Sequence, residues 1–145
     1  MQNTTILLVE DNADDEILTL RALKMNDIEN KVFVVRDGVD ALDFLFCRNA
    51  YAERDPYDLP RLILLDVKLP KMDGPEVLRR LRADPRTRLL PVVMLTSSKE
   101  GQDLIESYKN GANSYIRKPV DYTQFVEFVG QVGSYWLGLN EAPPR

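Results

Sequence analysis

Histidine is absent from this 145-residue chain. Imidazole acid–base catalysis is thereby excluded, and zinc sites nearly so. A single cysteine, Cys47, rules out an internal disulfide and suits a reducing compartment. No apolar run is long enough to span a bilayer, and no basic segment followed by an apolar one marks a signal peptide. No lysine/arginine tract is present and the net charge is −4, which disfavours non-specific nucleic-acid binding. Glycine is missing from the first strand-to-helix turn, which removes both the dinucleotide fingerprint and the P-loop. What remains is an ordinary soluble composition, 44% apolar and 29% charged, at a length suited to one domain. The expected location is cytoplasmic, with neither membrane nor nucleic acid as a partner.

The stretch Arg61-Leu62-Ile63-Leu64-Leu65-Asp66 stands out. A short continuous apolar run reads as a strand buried on both faces. Asp66 sits where that strand leaves the core, and an ionised carboxylate there is costly unless something positive binds it. Thr5-Ile6-Leu7-Leu8-Val9 is a strand by the same argument, and residues 31–35, Pro91-Val92-Val93-Met94-Leu95 and Ser114-Tyr115-Ile116-Arg117 read as three more. Helical segments alternate with them. Asp14, Asp15 and Glu16 place negative charge in the first turn of the first helix, where the dipole favours it, with Ile17, Leu20 and Leu23 as its apolar stripe. Ala41, Leu42, Leu45 and Phe46 mark the second helix, and residues 48–60 read as a long polar loop. Pro75 opens the third helix, with Val77, Leu78 and Leu81 inward, and Asp84-Pro85 ends it. A fourth helix is predicted over about residues 100–110, stopped by Gly111. The last carries Phe125, Phe128, Val129, Val132 and Trp136.

This alternation predicts an α/β fold: a doubly wound, five-stranded parallel sheet, order 2-1-3-4-5, flavodoxin-like, with a crevice at the carboxyl ends of strands one and three. Glu10 and Asp11 then face Asp66 across adjacent strands, while Thr96 and Lys118 end strands four and five. Three clustered carboxylates repel one another, and Mg²⁺ would resolve that repulsion. A hydroxyl and an ammonium on the same rim suit a phosphoryl group. A carboxylate can act as the nucleophile that forms an aspartyl phosphate. Each residue taken singly has a plainer role: a solvated helix start for Glu10 and Asp11, a helix N-cap for Thr96, Ser97 or Ser98, and core for Tyr115. Their joint placement at strand ends points to phosphoryl transfer onto Asp66.

The segments Leu8-Val9-Glu10-Asp11-Asn12, Leu64-Leu65-Asp66-Val67-Lys68-Leu69-Pro70-Lys71-Met72-Asp73-Gly74, Leu95-Thr96-Ser97 and Tyr115-Ile116-Arg117-Lys118-Pro119 resemble the receiver domain of two-component response regulators. The resemblance implies a receiver core over about residues 5–137 with a short tail, residues 138–145, in a chain that is one receiver domain. It implies that Asp66 accepts phosphate from a sensor histidine kinase. Glu10, Asp11, Asp66 and the backbone carbonyl of Lys68 would hold Mg²⁺, and Lys118 would contact the phosphoryl group. Thr96 and Tyr115 would act as the switch pair, and the Lys118–Pro119 bond would be cis. The chain would catalyse its own phosphorylation and dephosphorylation without being an enzyme in the ordinary sense. The 48–60 loop and the Tyr135-Trp136-Leu137 segment resemble regulators paired with bacteriophytochromes, a subgroup that forms homodimers through the fourth helix, fifth strand and fifth helix. Tyr108, Tyr122, Phe125, Tyr135 and Trp136 are candidates for that face or for the core.

Three other readings compete. A hydrolase acting through an aspartyl phosphate would carry D-x-D after the first strand, but Asp11-Asn12-Ala13 lacks the second acid. A flavin-binding domain needs a hydroxyl- and glycine-rich phosphate loop where this chain has acids. A constitutive interaction module with a receiver fold would have no use for the intact acid pair.

Overall fold

The computed structural model describes residues 5–96, 101–118 and 121–143; the side chains of Thr96 and residues 101–103 fall outside it. The elements are β1 (Ile6–Val9), α1 (Ala13–Met25), β2 (Val32–Val35), α2 (Gly38–Leu45), β3 (Leu62–Leu65), α3 (Gly74–Ala83), β4 (Val92–Thr96), α4 (Gly101–Lys109), β5 (Ser114–Arg117) and α5 (Tyr122–Gly133). All strand pairs are parallel, in the order β2-β1-β3-β4-β5. This is the doubly wound arrangement that the alternating pattern predicts.

The sheet divides the core into two layers. Side chains alternate across a strand, so odd and even positions face opposite helices. Leu7, Val9, Ile63 and Leu65 face Leu42 and Leu45 of α2 and Leu78 and Leu81 of α3. Ile6, Leu8, Leu62 and Leu64 face Ala22 and Leu23 of α1 and Phe125 and Val129 of α5. Every residue of β1 and β3 is buried. Each such Leu, Ile or Val contributes about 1.5–3 kcal/mol. A strand of this kind must therefore emerge at a fixed point, and the residue after it inherits a fixed direction.

Local sequence sets the helix starts. Asn12, Asp37, Asp73 and Asp121 cap α1, α2, α3 and α5 by accepting from backbone N–H groups within the first turn. Pro75 occupies the first turn of α3, as expected. The Ser97 and Ser98 caps considered for α4, and Pro119 with its expected cis bond, lie outside the described residues.

Four details differ from the sequence reading. The buried face of α1 is Thr19, Ala22 and Leu23, while Ile17 is 46% exposed. Thr19 is tolerated inside because its hydroxyl donates to the Asp15 carbonyl at 2.8 Å. Residues 48–60 are not a featureless loop. Asn49–Tyr51 form a 3₁₀ turn, and Tyr51 joins Phe33 and Phe44 in an aromatic cluster. The Arg54 guanidinium lies over the Phe44 ring at 3.7 Å and donates to the Phe44 and Asp58 carbonyls. α5 ends at Gly133, and Trp136 sits in a wide π-helical turn, Ser134–Leu139, half-buried against the second core layer. Phe125 is core, 6% exposed, which removes it from the candidate dimer face. Tyr108, Tyr122 and Tyr135 are exposed.

Candidate functional site

β1 and β3 are paired in register, Val9 beside Leu65. Glu10 and Asp66 each stand one residue further, so they emerge side by side. By parity both continue the face of Leu8 and Leu64, toward α1 and α5. Glu10 is 2% and Asp66 8% exposed, whereas Asp11, the next residue, is open to solvent. One oxygen from each of Glu10, Asp11 and Asp66 lies within 4.8 Å of the others. Asp66 Oδ1 is buried and has no hydrogen-bond partner among the described residues.

Lys118 follows β5 and reaches back across the sheet to this cluster. Its side chain is 8% exposed. The ammonium pairs with Glu10, lies 3.1 Å from Asp15 and stands 3.7 Å from Asp66 Oδ2. Burial pushes the Glu10 carboxyl up to about 7, against the pull of Lys118, and the Asp66 charge pushes it the same way. Burial acts to lower the Lys118 pKa, but the Asp66 and Glu10 charges and hydrogen bonds to Glu10 and Asp15 outweigh it and hold it above the ordinary lysine value. The site is thus a buried anionic hollow with one internal counter-ion among the described residues.

The loop after Asp66 is held from two sides. The Gly74 N–H donates to the Val67 carbonyl at 2.8 Å, and a Cβ on Gly74 would come within 2.2 Å of the Asp66 carbonyl oxygen. A Cβ on Gly38 would come within 2.0 Å of the Met72 carbonyl oxygen. Both positions need glycine because backbone approaches backbone. Lys71 pairs with Asp37 at 3.5 Å across the same junction. Lys68 lies in this loop, exposed, two residues after Asp66.

Of the remaining candidates, Thr96 is the last residue of β4, paired in register with Arg117. Tyr115 lies on β5, half-buried against the first core layer and so on the sheet face opposite Asp66. The structure therefore groups Glu10, Asp11, Asp66 and Lys118 directly. It places Thr96 on the same rim by backbone, and Tyr115 on the other face of the sheet. Asp15 is the member that the sequence reading missed. The sequence pattern gives it only a place in the helix dipole, yet it bonds the ammonium at the site's centre. Its place on the first turn of α1, facing back over the strand end, was the available signal.

Oxygen-only donors, three of them within 4.8 Å, and a buried unpartnered Asp66 oxygen fit a hard divalent cation.

Residues 6–130 match the profile of the response regulator receiver domain. The chain belongs to the response regulator receiver family. Receivers of this family accept a phosphoryl group and bind a divalent metal. The chain is 41% identical over 138 residues to the probable methanogenesis regulatory protein FilR2 of Methanothrix harundinacea, covering 95% of this chain and 86% of that protein. It is 39% identical over 138 residues to response regulator Rcp1 of Synechocystis, covering 95% of this chain and 92% of Rcp1. Among solved structures, the phosphorylated cyanobacterial phytochrome response regulator RcpA superposes with a TM-score of 0.90 at 36% identity, covering 99% of this chain and 100% of RcpA. The Mn²⁺-bound form of Rcp1 superposes with a TM-score of 0.87 at 36% identity, covering 97% and 99%. The receiver described here is thus a signalling protein related to the phytochrome response regulators. Among the described residues, no helix is long and apolar enough to cross a membrane.

Proposed function

We propose that this receiver is phosphorylated on Asp66 by a sensor histidine kinase, with Mg²⁺ as its resident ion. The observation that carries the reading is Asp66 itself: buried, with an oxygen that no described residue hydrogen-bonds, between an acid pair and an ammonium. A carboxylate oxygen of Asp66 attacks phosphorus. A new O–P bond forms as the bond from phosphorus to the donor breaks, and that electron pair leaves with the donor: the kinase imidazole, which then takes up a proton, or acetate from acetyl phosphate. Positioning and charge neutralisation supply most of the catalysis.

Glu10, Asp11, Asp66 and the Lys68 carbonyl would hold the ion, which supplies positive charge to the phosphoryl oxygens when bound. Lys118 supplies an ammonium to the same oxygens, and the chain thereby assists both gain and loss of the phosphoryl group. Thr96 and Tyr115 act as the switch pair that reports phosphorylation to the β4–β5 edge. The receiver works in the cytoplasm as one domain, with a core of about residues 5–137. It signals through a change in conformation or pairing, with α4, β5 and α5 as the homodimer face and Tyr108, Tyr122 and Tyr135 exposed on or beside it. Likeness to RcpA, a cyanobacterial phytochrome response regulator, supports a phytochrome as the kinase, and a bacteriophytochrome is the form proposed.

Acetyl phosphate with Mg²⁺ is expected to add one acid-stable, base-labile phosphoryl group, lost in Asp66→Asn and in chelator. Labelling that persists in Asp66→Asn would refute the assignment. Phosphotransfer from a phytochrome kinase in its two light states tests the partner, and equal refusal in both states would remove it.

A further inference from the structure

The Asp15 side chain does something that its place in a helix dipole does not require. Its backbone is already fixed: the Asp15 N–H donates to Asn12 Oδ1 at 3.0 Å, and its carbonyl accepts from Thr19 Oγ1 at 2.8 Å. The carboxylate is therefore not needed to start α1. It lies instead 3.1 Å from Lys118 Nζ, nearer than the 3.7 Å separating that nitrogen from Asp66. The ammonium is hydrogen-bonded to Glu10 and Asp15, while Asp66 Oδ1 receives no hydrogen bond from the described residues. Asp14, one position earlier, is exposed and has no ion pair among the described residues.

We propose that Asp15 is a positioning residue for phosphoryl transfer: it holds the Lys118 ammonium toward α1, so that Asp66 stays uncovered for attack. This rests on Asp66 being the phosphoryl acceptor. An ammonium that donates to a carboxylate ties up the lone pair that must form the O–P bond. Lys118 has three donors and, without Asp15, one fewer carboxylate to satisfy them. Asp66 is the next acceptor in order of distance. Loss of the Asp15 charge therefore swings the ammonium onto the nucleophile.

The test uses the full chain with saturating Mg²⁺ and acetyl phosphate. Asp15→Asn is expected to lower the labelling rate by about five-fold, the scale of an ion pair between a buried ammonium and a partly exposed carboxylate. Asp15→Glu is expected to recover part of it. Asp14→Asn, which removes the same charge from the same helical turn, is expected to stay within about two-fold of the unmodified chain. Asp15→Ser is the second neutral variant, should Asp15→Asn not fold. A readout independent of labelling is the Lys118 ammonium nitrogen resonance in metal-free protein, expected to move in Asp15→Asn and to hold in Asp14→Asn. Equal rates and unmoved resonances in the Asp15 and Asp14 variants would overturn the inference while leaving Asp66 as acceptor. An unmodified chain that takes no label, or an Asp66→Asn chain that does, would instead overturn the acceptor and this inference with it.

Discussion

Replacing Lys118 by methionine keeps most of the side chain's volume and removes the ammonium bonded to Glu10 and Asp15 and 3.7 Å from Asp66. Lys118 and Glu10 are both nearly fully buried, so the loss leaves an uncompensated carboxylate inside the protein. Breaking such a pair costs about 3–5 kcal/mol. The hollow opens to solvent through the exposed Asp11, so the lower end applies: about 3 kcal/mol, or roughly 6–12 °C in Tm for a chain of this size. The loss must depend on pH. Glu10 titrates near 7 in the folded protein against an ordinary 4.5, so its protonated form is favoured by folding. The stability linked to that proton is complete below about 4.5 and disappears as pH rises through about 7. Lys118, raised above its ordinary 10.5, contributes stability that is constant below that value and is lost as pH rises through its higher folded value. Of this ion pair, therefore, Glu10 is the member that changes charge over neutral pH. Thermal melts of metal-free protein should show a larger loss from Lys118→Met at about pH 8.5, where Glu10 is ionised in the unmodified chain, than at about pH 5.5, where it is protonated. Added Mg²⁺ should shrink the loss at the higher pH by supplying a replacement charge. Equal losses at both pH values, or none, would refute the buried ion-pair reasoning.

Two substitutions away from the acids test the frame. Gly38→Ala forces a methyl against the Met72 carbonyl, 2.0 Å away, and must displace the loop that carries Lys68. A stability loss of about 1–3 kcal/mol is expected, with several-fold weaker Mg²⁺ binding by calorimetry; unchanged affinity would separate this junction from the metal site. Arg82 donates to the Gly111, Arg88 and Leu90 carbonyls and to Asn113 at 2.8–3.0 Å, tying the end of α3 to the entries of β4 and β5. Arg82→Met should cost about 2–3 kcal/mol, since the freed acceptors reach water only in part; a Tm within 2 °C of the unmodified chain, roughly half a kcal/mol, would refute the clasp.

The sheet was legible because its cause is local. Four-residue apolar runs ending in turns favour strands, and in β1 and β3 every residue is buried; alternation with helical segments then leaves few topologies. The acids at the ends of β1 and β3 were legible for the same reason, since an ionised group that leaves a fully apolar strand needs a partner. Asp15 was hidden because one carboxylate on a first helical turn satisfies the dipole wherever it points. Its pairing with Lys118 depends on how α1 is rotated against β5, which no local pattern states. The exposed Ile17 marks the same gap, since the buried stripe of α1 is set by packing beside α5. The ordered 48–60 segment escaped because its stability comes from Arg54 lying on Phe44, a contact between distant side chains rather than a turn signal.

The most direct measurement is a crystal structure of the chain with Mg²⁺ and beryllofluoride, a stable mimic of the aspartyl phosphate. The expected result is a fluoride-capped beryllium on Asp66, a cation held by Glu10, Asp11, Asp66 and the Lys68 carbonyl, and the Lys118 ammonium on a fluorine. Strand ends that leave this hollow without either group, or beryllofluoride on another carboxylate, would contradict it.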